Sequence, residues 1–381
     1  MSEITWLHIS DLHFRSGESL DEHNRQIVLD ALWKDIERQI KILGKPDFIV
    51  FTGDIAYYGK KSEYDAAQQR FFAPLLANTG VPKDRLFIVP GNHDVNWNKI
   101  DGPRRDAMRG LVKQDSAQTR NAINQFLSNS NDLPHYFLPQ EGFWTFLKDF
   151  MGDVLLIDKN TYYYTFEFLC KGYKLGILGI NSAWMSGYFK DDQGKVQDQG
   201  NLFLSELQVM QALERTKNVD LRIVLLHHPL EWINDLDNNS VRLLQRNCPI
   251  VLRGHLHRAE VEKKFLFAGD VTVVPAGAIY ESRDSYNGYQ FVILNLQTGE
   301  GKVHFRSYSE RGRGGPEWVS DVMITGDEYK GVFPFKIPPI KKSTTKDKSI
   351  LPDCVPVVVI TMSVTEARLF FEENQDHLEL K

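Results

Sequence analysis

Five short stretches of this 381-residue chain each end an apolar run in side chains able to hold a metal ion. They are SDLH with Asp11 and His13, TGD with Asp54, GNHD with Asn92, His93 and Asp94, LHHP with His227 and His228, and GHLH with His255 and His257. Carboxylates, imidazoles and an amide oxygen together suit Mn²⁺, Fe²⁺ or Zn²⁺ better than a thiolate site would. They are too many for one ion. Two ions about 3.5–4 Å apart, bridged by a shared carboxylate, would use them and leave positions for water or substrate. One such cluster could be a polar turn. Five recurring at the ends of apolar runs point to a built centre.

The elements that must position these residues can be read from the same sequence. ITWLHI (4–9), DFIVFTGD (47–54) and RLFIVPGN (85–92) are β-branched and aromatic runs, and they predict strands. The segments 21–43 and 61–80 carry apolar residues at helical spacing and stop at Gly44 and Gly80. Strands alternating with helices predict an α/β core, whose strand ends gather functional groups. A strand also projects residues i and i+2 to one side, the spacing of Asp11/His13 and of His255/His257. Gly53, Gly91 and Gly254 each immediately precede a candidate ligand, where backbone must turn or approach closely.

Residues 101–160 break the rhythm and read as a largely helical cap insertion. Arg104, Arg105, Arg109, Lys113 and Arg120 precede the aromatic run at 135–150 there. They offer either phosphate and base contacts or a solvated helix face over a small core of the cap's own. Strand-like runs resume at 161–169, 174–181, 221–228 and 249–255, and a β-rich, partly antiparallel stretch follows to 308. The expected organisation is one domain over 1–335, a Pro- and Lys-rich linker over 336–350, and a strand–helix extension over 351–381.

Composition is that of an ordinary globular chain, 42% hydrophobic and 25% charged. A net charge of −5 argues against holding nucleic acid by bulk charge alone, though bound metal would supply local positive charge. Three scattered cysteines without a CxxC, and no apolar run near the ~20 residues of a membrane helix, lead us to expect a cytoplasmic protein with no membrane contact.

In this order the motifs resemble those of the calcineurin-like metallophosphoesterases, whose pattern is D-x-H, G-D, G-N-H-[D/E], a lone H, then G-H-x-H. The resemblance runs over roughly 4–310. It implies an α/β, four-layer α/β/β/α sandwich around a dinuclear centre. By motif position Asp11, His13 and His257 would hold one divalent ion, Asn92, His227 and His255 the other, and Asp54 would bridge. Mn²⁺ is the expected metal, with Fe²⁺, Zn²⁺ or Ni²⁺ as alternatives. His93 would serve the scissile phosphate as acid or electrostatic partner, and Asp94 is expected to orient His93. Tyr57, His228 and Tyr280 are expected at the substrate.

Phosphoprotein phosphatases resembling this fold carry GDxVDRG at the second motif. Here it reads GDIAYYGKKSEY, and HHP and GHLH look closer to bacterial cyclic-nucleotide and glycerophosphodiester phosphodiesterases. The expectation is therefore a phosphodiesterase or nuclease that uses a two-metal-activated hydroxide on a nucleotide or single-stranded nucleic acid. The alternatives are a phosphomonoesterase or nucleotide pyrophosphatase, or a non-catalytic scaffold of the same fold. The C-terminal extension offers a place for a regulatory partner or homo-oligomer contacts.

Overall fold

The computed structural model describes residues 2–15, 17, 19–129, 131, 133–152, 162–264, 270–312 and 315–342, all within the unit Met1–Ser343. The extension expected over 351–381 lies outside the described residues. The chain begins with β1 (Glu3–Ile9), α1 (Ser19–Leu43), β2 (Phe48–Phe51), α2 (Lys61–Ala67), α3 (Ala73–Thr79) and β3 (Leu86–Ile88). The single helix expected over 61–80 is broken by a π-helical turn at Gln68–Phe72, which lets the adjacent Phe71 and Phe72 both reach the core. Gly80 ends α3 in the left-handed conformation, φ 62°.

Next come α4 (Gly102–Arg109), α5 (Ser116–Ser128), α6 (Leu133–Tyr136) and α7 (Glu141–Met151). Then follow β4 (Tyr164–Cys170), β5 (Tyr173–Gly179), α8 (Glu206–Arg215), β6 (Leu221–Leu225), α9 (Asn238–Asn247), β7 (Ile250–Arg253), β8 (Glu262–Lys264) and β9 (Val271–Pro275). The described chain closes with β10 (Gly288–Asn295), β11 (Glu300–Gly312), β12 (Gly315–Ser320), α10 (Val322–Tyr329) and β13 (Val332–Lys336).

The strands form two sheets. The first has the order β12-β11-β10-β1-β2-β3, with β13 also paired to β11; the second has the order β4-β5-β6-β7-β9-β8. Aromatic contacts join their facing surfaces, Phe48 and Phe87 meeting Phe168 at ring distances of 5.8 and 5.6 Å. Alternation along the second sheet sorts its side chains. Leu175, Ile177, Ile223 and Leu252 join the cluster between the sheets. Leu178, Val224 and Val251 join the cluster with Val209 and Ala212 of α8 and Leu244 of α9. Helices α1 and α3 cover the first sheet in the same way, which gives the expected α/β/β/α layering.

Two boundaries differ from expectation. Residues 102–151 do not build a separate cap core. Phe143, Phe146, Leu147, Phe150 and Met151 bury into the main cluster, and Met108, Ile123, Leu127 and Leu133 into the other. Their basic residues are likewise committed: Arg104 binds the carbonyls of Lys99 and His135, Arg109 the carbonyl of Tyr188, and Arg120 pairs with Glu206. At the other end, the chain does not come free at 336. Ile337 is buried, and the amides of Ile337 and Ile340 donate to the carbonyls of Gly299 and Leu296. Pro334 fits because β13 is an edge strand.

Candidate metal centre

β1, β2 and β3 run parallel in one sheet, and β6 and β7 run parallel in the other. Asp11 and His13 follow β1, Asp54 follows β2, and Asn92 and His93 follow β3. His227 follows β6, and His255 and His257 follow β7. Backbone bonds stitch these exits together, among them Asp11 N to Gly53 O at 2.9 Å and Gly254 N to His227 O at 3.2 Å. Eight described non-glycine residues have positive φ, and five are candidate ligands: Asp11 (56°), His13 (48°), Asp54 (60°), His255 (76°) and His257 (53°). Each costs roughly 1 kcal/mol or more and persists only where its surroundings hold it. Gly91 shows how tight the packing is, since an added Cβ would lie 2.1 Å from Asp54 Oδ1.

All seven predicted ligands converge. Asp54 Oδ2 lies 3.3 Å from His13 Nε2 and 3.2 Å from His227 Nε2, so one carboxylate reaches both sets. Asp11 Oδ1 lies 3.3 Å from His257 Nε2. Asn92 Oδ1 lies 3.0 Å from His227 Nε2 and 2.9 Å from His255 Nδ1, and those two nitrogens are 3.2 Å apart. Asp11, His13 and His257 form one tight donor group, and Asp11, Asp54 and His227 another.

Tautomers decide what this convergence means. His227 Nδ1 donates to the Thr52 carbonyl at 2.7 Å, so the neutral ring turns the Nε2 lone pair toward the oxygens of Asn92 and Asp54. His257 Nδ1 faces Glu281 at 3.0 Å, which turns its Nε2 lone pair toward Asp11. Asp11 Oδ1 is buried and has no hydrogen-bond donor among the described residues. Lone pairs thus point at lone pairs, an arrangement that calls for a cation in their midst. Titration expresses the same demand. Burial would lower His227, yet Asp54 and Asp11 raise it to about 9. Burial would lower His257, yet Asp11 and Glu281 raise it to about 9. Burial opposes the charge of Asp54, and His227 and His93 nevertheless hold its carboxyl well below the usual range. A donor set of two carboxylates, an amide oxygen and four imidazoles fits divalent ions of the Mn²⁺–Zn²⁺ class.

His93 stands beside this group. Its ring is 4.8 Å from that of His13 and half-buried, and its Nδ1 donates to the Tyr57 carbonyl at 2.9 Å. Tyr57 thereby orients His93, and the role expected of Asp94 is corrected. Asp94 accepts from the amides of Asp54, Ala56 and Gly91 at 2.9–3.1 Å and from the Tyr64 hydroxyl at 3.0 Å. It ties the loop after β3 to the loop after β2 and so fixes Asp54. Burial, with Asp54 nearby, pushes Asp94 up to about 6.

Two expected substrate contacts are also corrected. Tyr280 is buried with its hydroxyl on Asp21 at 2.8 Å and Arg25 over its ring, so it braces α1. His228 is fully buried. The Ser182 hydroxyl accepts from the amides of His227 and His228 and so donates its own proton to His228 Nδ1 at 2.9 Å. The remaining proton of the neutral ring then sits on Nε2, which leaves no lone pair there for a metal. Tyr57 borders the centre from its open side, its ring 4.8 Å from His93. His228 packs against the centre from the protein side, its ring 4.7 Å from that of His255, and a ring nitrogen from each of His227, His228 and His255 lies within 4.8 Å of the others. Sequence reasoning missed Glu281, Ser182 and Tyr64, which belong to no motif and meet the centre only through the fold.

Comparison with known proteins bears on this geometry. Residues 4–259 match the family model described as calcineurin-like phosphoesterase. The chain is 24% identical over 333 residues to the uncharacterized metallophosphoesterase-like protein YydB of Bacillus subtilis strain 168, covering 82% of this chain and 63% of that one. It is 33% identical over 86 residues to the probable glycerophosphodiester phosphodiesterase GpdQ of Arcobacter nitrofigilis, covering 23% of this chain and 28% of the relative. The matches therefore span less than two thirds of either relative. A solved structure of a predicted phosphoesterase from Streptococcus pneumoniae TIGR4 aligns with a TM-score of 0.30 at 12% identity, over 88% of this chain and 99% of that one.

Proposed function

This chain belongs to the calcineurin-like phosphoesterase family, and on that premise we propose that it is a metal-dependent phosphodiesterase acting on a nucleotide or nucleic-acid diester. The observation that carries the reading is the set of fixed imidazole tautomers whose lone pairs converge on those of Asp11, Asp54 and Asn92. Asp11, His13 and His257 would hold one cation, Asn92, His227 and His255 the other, with Asp54 shared. Bound divalent cations, Mn²⁺ first and Fe²⁺, Zn²⁺ or Ni²⁺ as alternatives, would neutralise phosphate oxygens and acidify water toward neutral pH.

The chain's own groups account for the rest. In hydrolysis a water oxygen bonds to phosphorus, the ester P–O bond breaks, and the departing alkoxide takes a proton. His93 is placed to give that proton: Nδ1 is held by Tyr57, so Nε2 is the nitrogen left to exchange it. Such general-acid help contributes roughly 10²–10⁴-fold. A diester carries one negative charge and a monoester close to two. Tyr57, Tyr58, Trp97 and Leu256 give the rim an uncharged share that suits the less charged substrate, beside the cations Arg15 over Tyr57 and Lys60 over Tyr58. The glycerophosphodiester relative supports the same choice.

With Mn²⁺ added, the chain is expected to hydrolyse bis(p-nitrophenyl) phosphate with higher kcat/KM than p-nitrophenyl phosphate. A preference for the monoester would replace this reading with a phosphomonoesterase. Turnover of nucleotide anhydrides alone would make it a pyrophosphatase, and a purified chain that neither binds metal nor turns over would be a scaffold.

A further inference from the structure

Beside the candidate centre lies an aromatic surface whose outer end, beyond His93, the hydrolysis itself does not use. Tyr57, His93 and Trp97 stand in a row. The Tyr57 and His93 ring centres are 4.8 Å apart at 34°, and those of His93 and Trp97 are 6.1 Å apart at 31°. Trp97 is 39% exposed, and Tyr58, at 47%, meets Tyr57 edge-on at 4.7 Å. The Arg15 guanidinium lies 3.7 Å over the Tyr57 ring.

The indole is held in place. Trp97 opens a short 3₁₀ turn, Trp97–Lys99, which the Asn96 side chain caps by accepting from Asn98 N at 3.2 Å. Asn96 N donates to the Pro139 carbonyl at 2.8 Å, which ties the turn to the helical segment. The ring rests on Gly187, where an added Cβ would lie 2.6 Å from Trp97 Cδ1. A single exposed aromatic is ordinary on a protein surface. What sets this one apart is that the turn cap, the Pro139 bond and the bare Gly187 fix it edge to edge with His93.

Position then selects the substrate. The group attached to the leaving oxygen must come to rest beside the residue that protonates that oxygen, and here that place is the row on either side of His93. We propose that Trp97, in the row begun by Tyr57 and His93, is a specificity-determining shelf that stacks the base of a leaving nucleoside, so that the preferred substrate is a diester between two nucleosides. This rests on the reading of His93 and the centre given above. Base–aromatic stacking is tolerant of sequence, so the shelf selects for a base without selecting which one. A glycerol or ethanolamine leaving group offers no ring and gains nothing there.

The test compares the Mn²⁺-loaded wild type with Trp97→Ala and Trp97→Phe on two diesters, thymidylyl-thymidine and glycerophosphoethanolamine. Products are thymidine plus thymidine monophosphate from the first, and an alcohol plus a phosphomonoester from the second. The ratio of kcat/KM for the dinucleotide to that for the base-free diester should fall roughly tenfold in Trp97→Ala, through KM, and mostly return in Trp97→Phe. Taking a ratio removes any loss of folded enzyme, which affects both substrates alike. An unchanged ratio in Trp97→Ala overturns the shelf and makes Trp97 rim packing. Should the wild type cleave the base-free diester and ignore the dinucleotide, the shelf fails while the phosphodiesterase reading stands. Should it cleave neither, that reading fails, and equilibrium binding of thymidylyl-thymidine to wild type and Trp97→Ala still decides: about tenfold weaker binding in the variant supports the shelf, and equal binding overturns it.

Discussion

Two of the buried polar clusters among the described residues are built on opposite plans. Behind the antiparallel wing, Asp35 of α1 is fully buried and meets Arg306 of β11 through two bonds of 2.8 and 2.7 Å. Its oxygens also accept from Arg38 at 2.7 Å and from the Tyr289 hydroxyl at 2.6 Å. The rest of the Arg306 guanidinium is taken by Ser320 Oγ and the Trp318 carbonyl, both at 2.8 Å. Four of the five N–H groups of that guanidinium have acceptors among the described residues, and both Asp35 oxygens have donors. At the strand ends, Asp11, Asp54 and Asn92 face imidazole nitrogens whose protons, in the neutral rings, are drawn away by Thr52 and Glu281. A closed network is complete as protein. An open one is complete only with a cation, and that distinction, rather than burial or polarity, separates the candidate centre from scaffold.

The sharpest test exchanges the consequences of two Asp substitutions. Asp54→Asn should lower phosphodiesterase kcat/KM by at least roughly 10²–10³, the loss expected when fixed charge is removed from a reacting centre. In EDTA above about pH 9, where His227 and His257 are neutral, its thermal midpoint should not fall, because the change removes one of two carboxylates facing each other across unprotonated nitrogens. Asp35→Ala should do the reverse. It strands a buried guanidinium and should cost about 3–5 kcal/mol, read from urea unfolding, while the fraction that stays folded keeps its kcat. If Asp54→Asn unfolded without metal, or folded Asp35→Ala lost turnover, the two clusters would not differ in kind.

Glu281→Gln probes the open network one bond farther out. The amide oxygen still accepts from His257 Nδ1, so the ring keeps its orientation and loses only the neighbouring charge. Metal affinity should weaken by about 10–100-fold, seen as a higher Mn²⁺ midpoint in a titration of activity, with the rate at saturating Mn²⁺ restored. A rate that stayed low at saturation would give Glu281 a different part to play.

These contrasts also mark how much of the molecule was legible beforehand. The convergence of the candidate ligands was, because each is a particular side chain at a particular strand end, and a strand announces itself by its apolar run. The α/β core followed from the same runs, and the α/β/β/α layering from the family resemblance. What sequence could not supply was the partner that each polar atom finds across the fold. Asp94 lies next to His93 in the chain yet spends its oxygens on amides from the loop after β2, and Tyr57, 36 residues away, holds His93 instead. Tyr280 stands near the motifs but points its hydroxyl at α1. The aromatic run at 135–150 shows the same limit. Phe143 and Phe146 read equally well as a stacking surface or as core, and only the packing of α7 against α2 chooses core.

The smallest effect we predict lies in the closed wing, where one histidine behaves oppositely to those of the centre. His304 of β11 sits between Lys302 and Arg306, and its buried Nε2 has no hydrogen-bond partner among the described residues. Burial, aided by those two cations, lowers its pKa from 6.5 to about 4, whereas carboxylates raise His227 and His257 to about 9. With the folded value below the unfolded one, the unfolded chain binds the extra proton between those limits. The stability tied to a neutral His304 is therefore fully present above about pH 6.5, declines as pH falls toward 4, and changes no further below that. In His304→Leu this part of the slope disappears. The difference in urea midpoint between variant and wild type, both in EDTA, should move in favour of the variant from pH 7 to pH 4.5, because titration of the metal-centre groups cancels in the comparison. A difference that is constant over that range would mean that the folded wing accepts the proton as readily as water does, and that its polar groups are less closed than their bonds indicate.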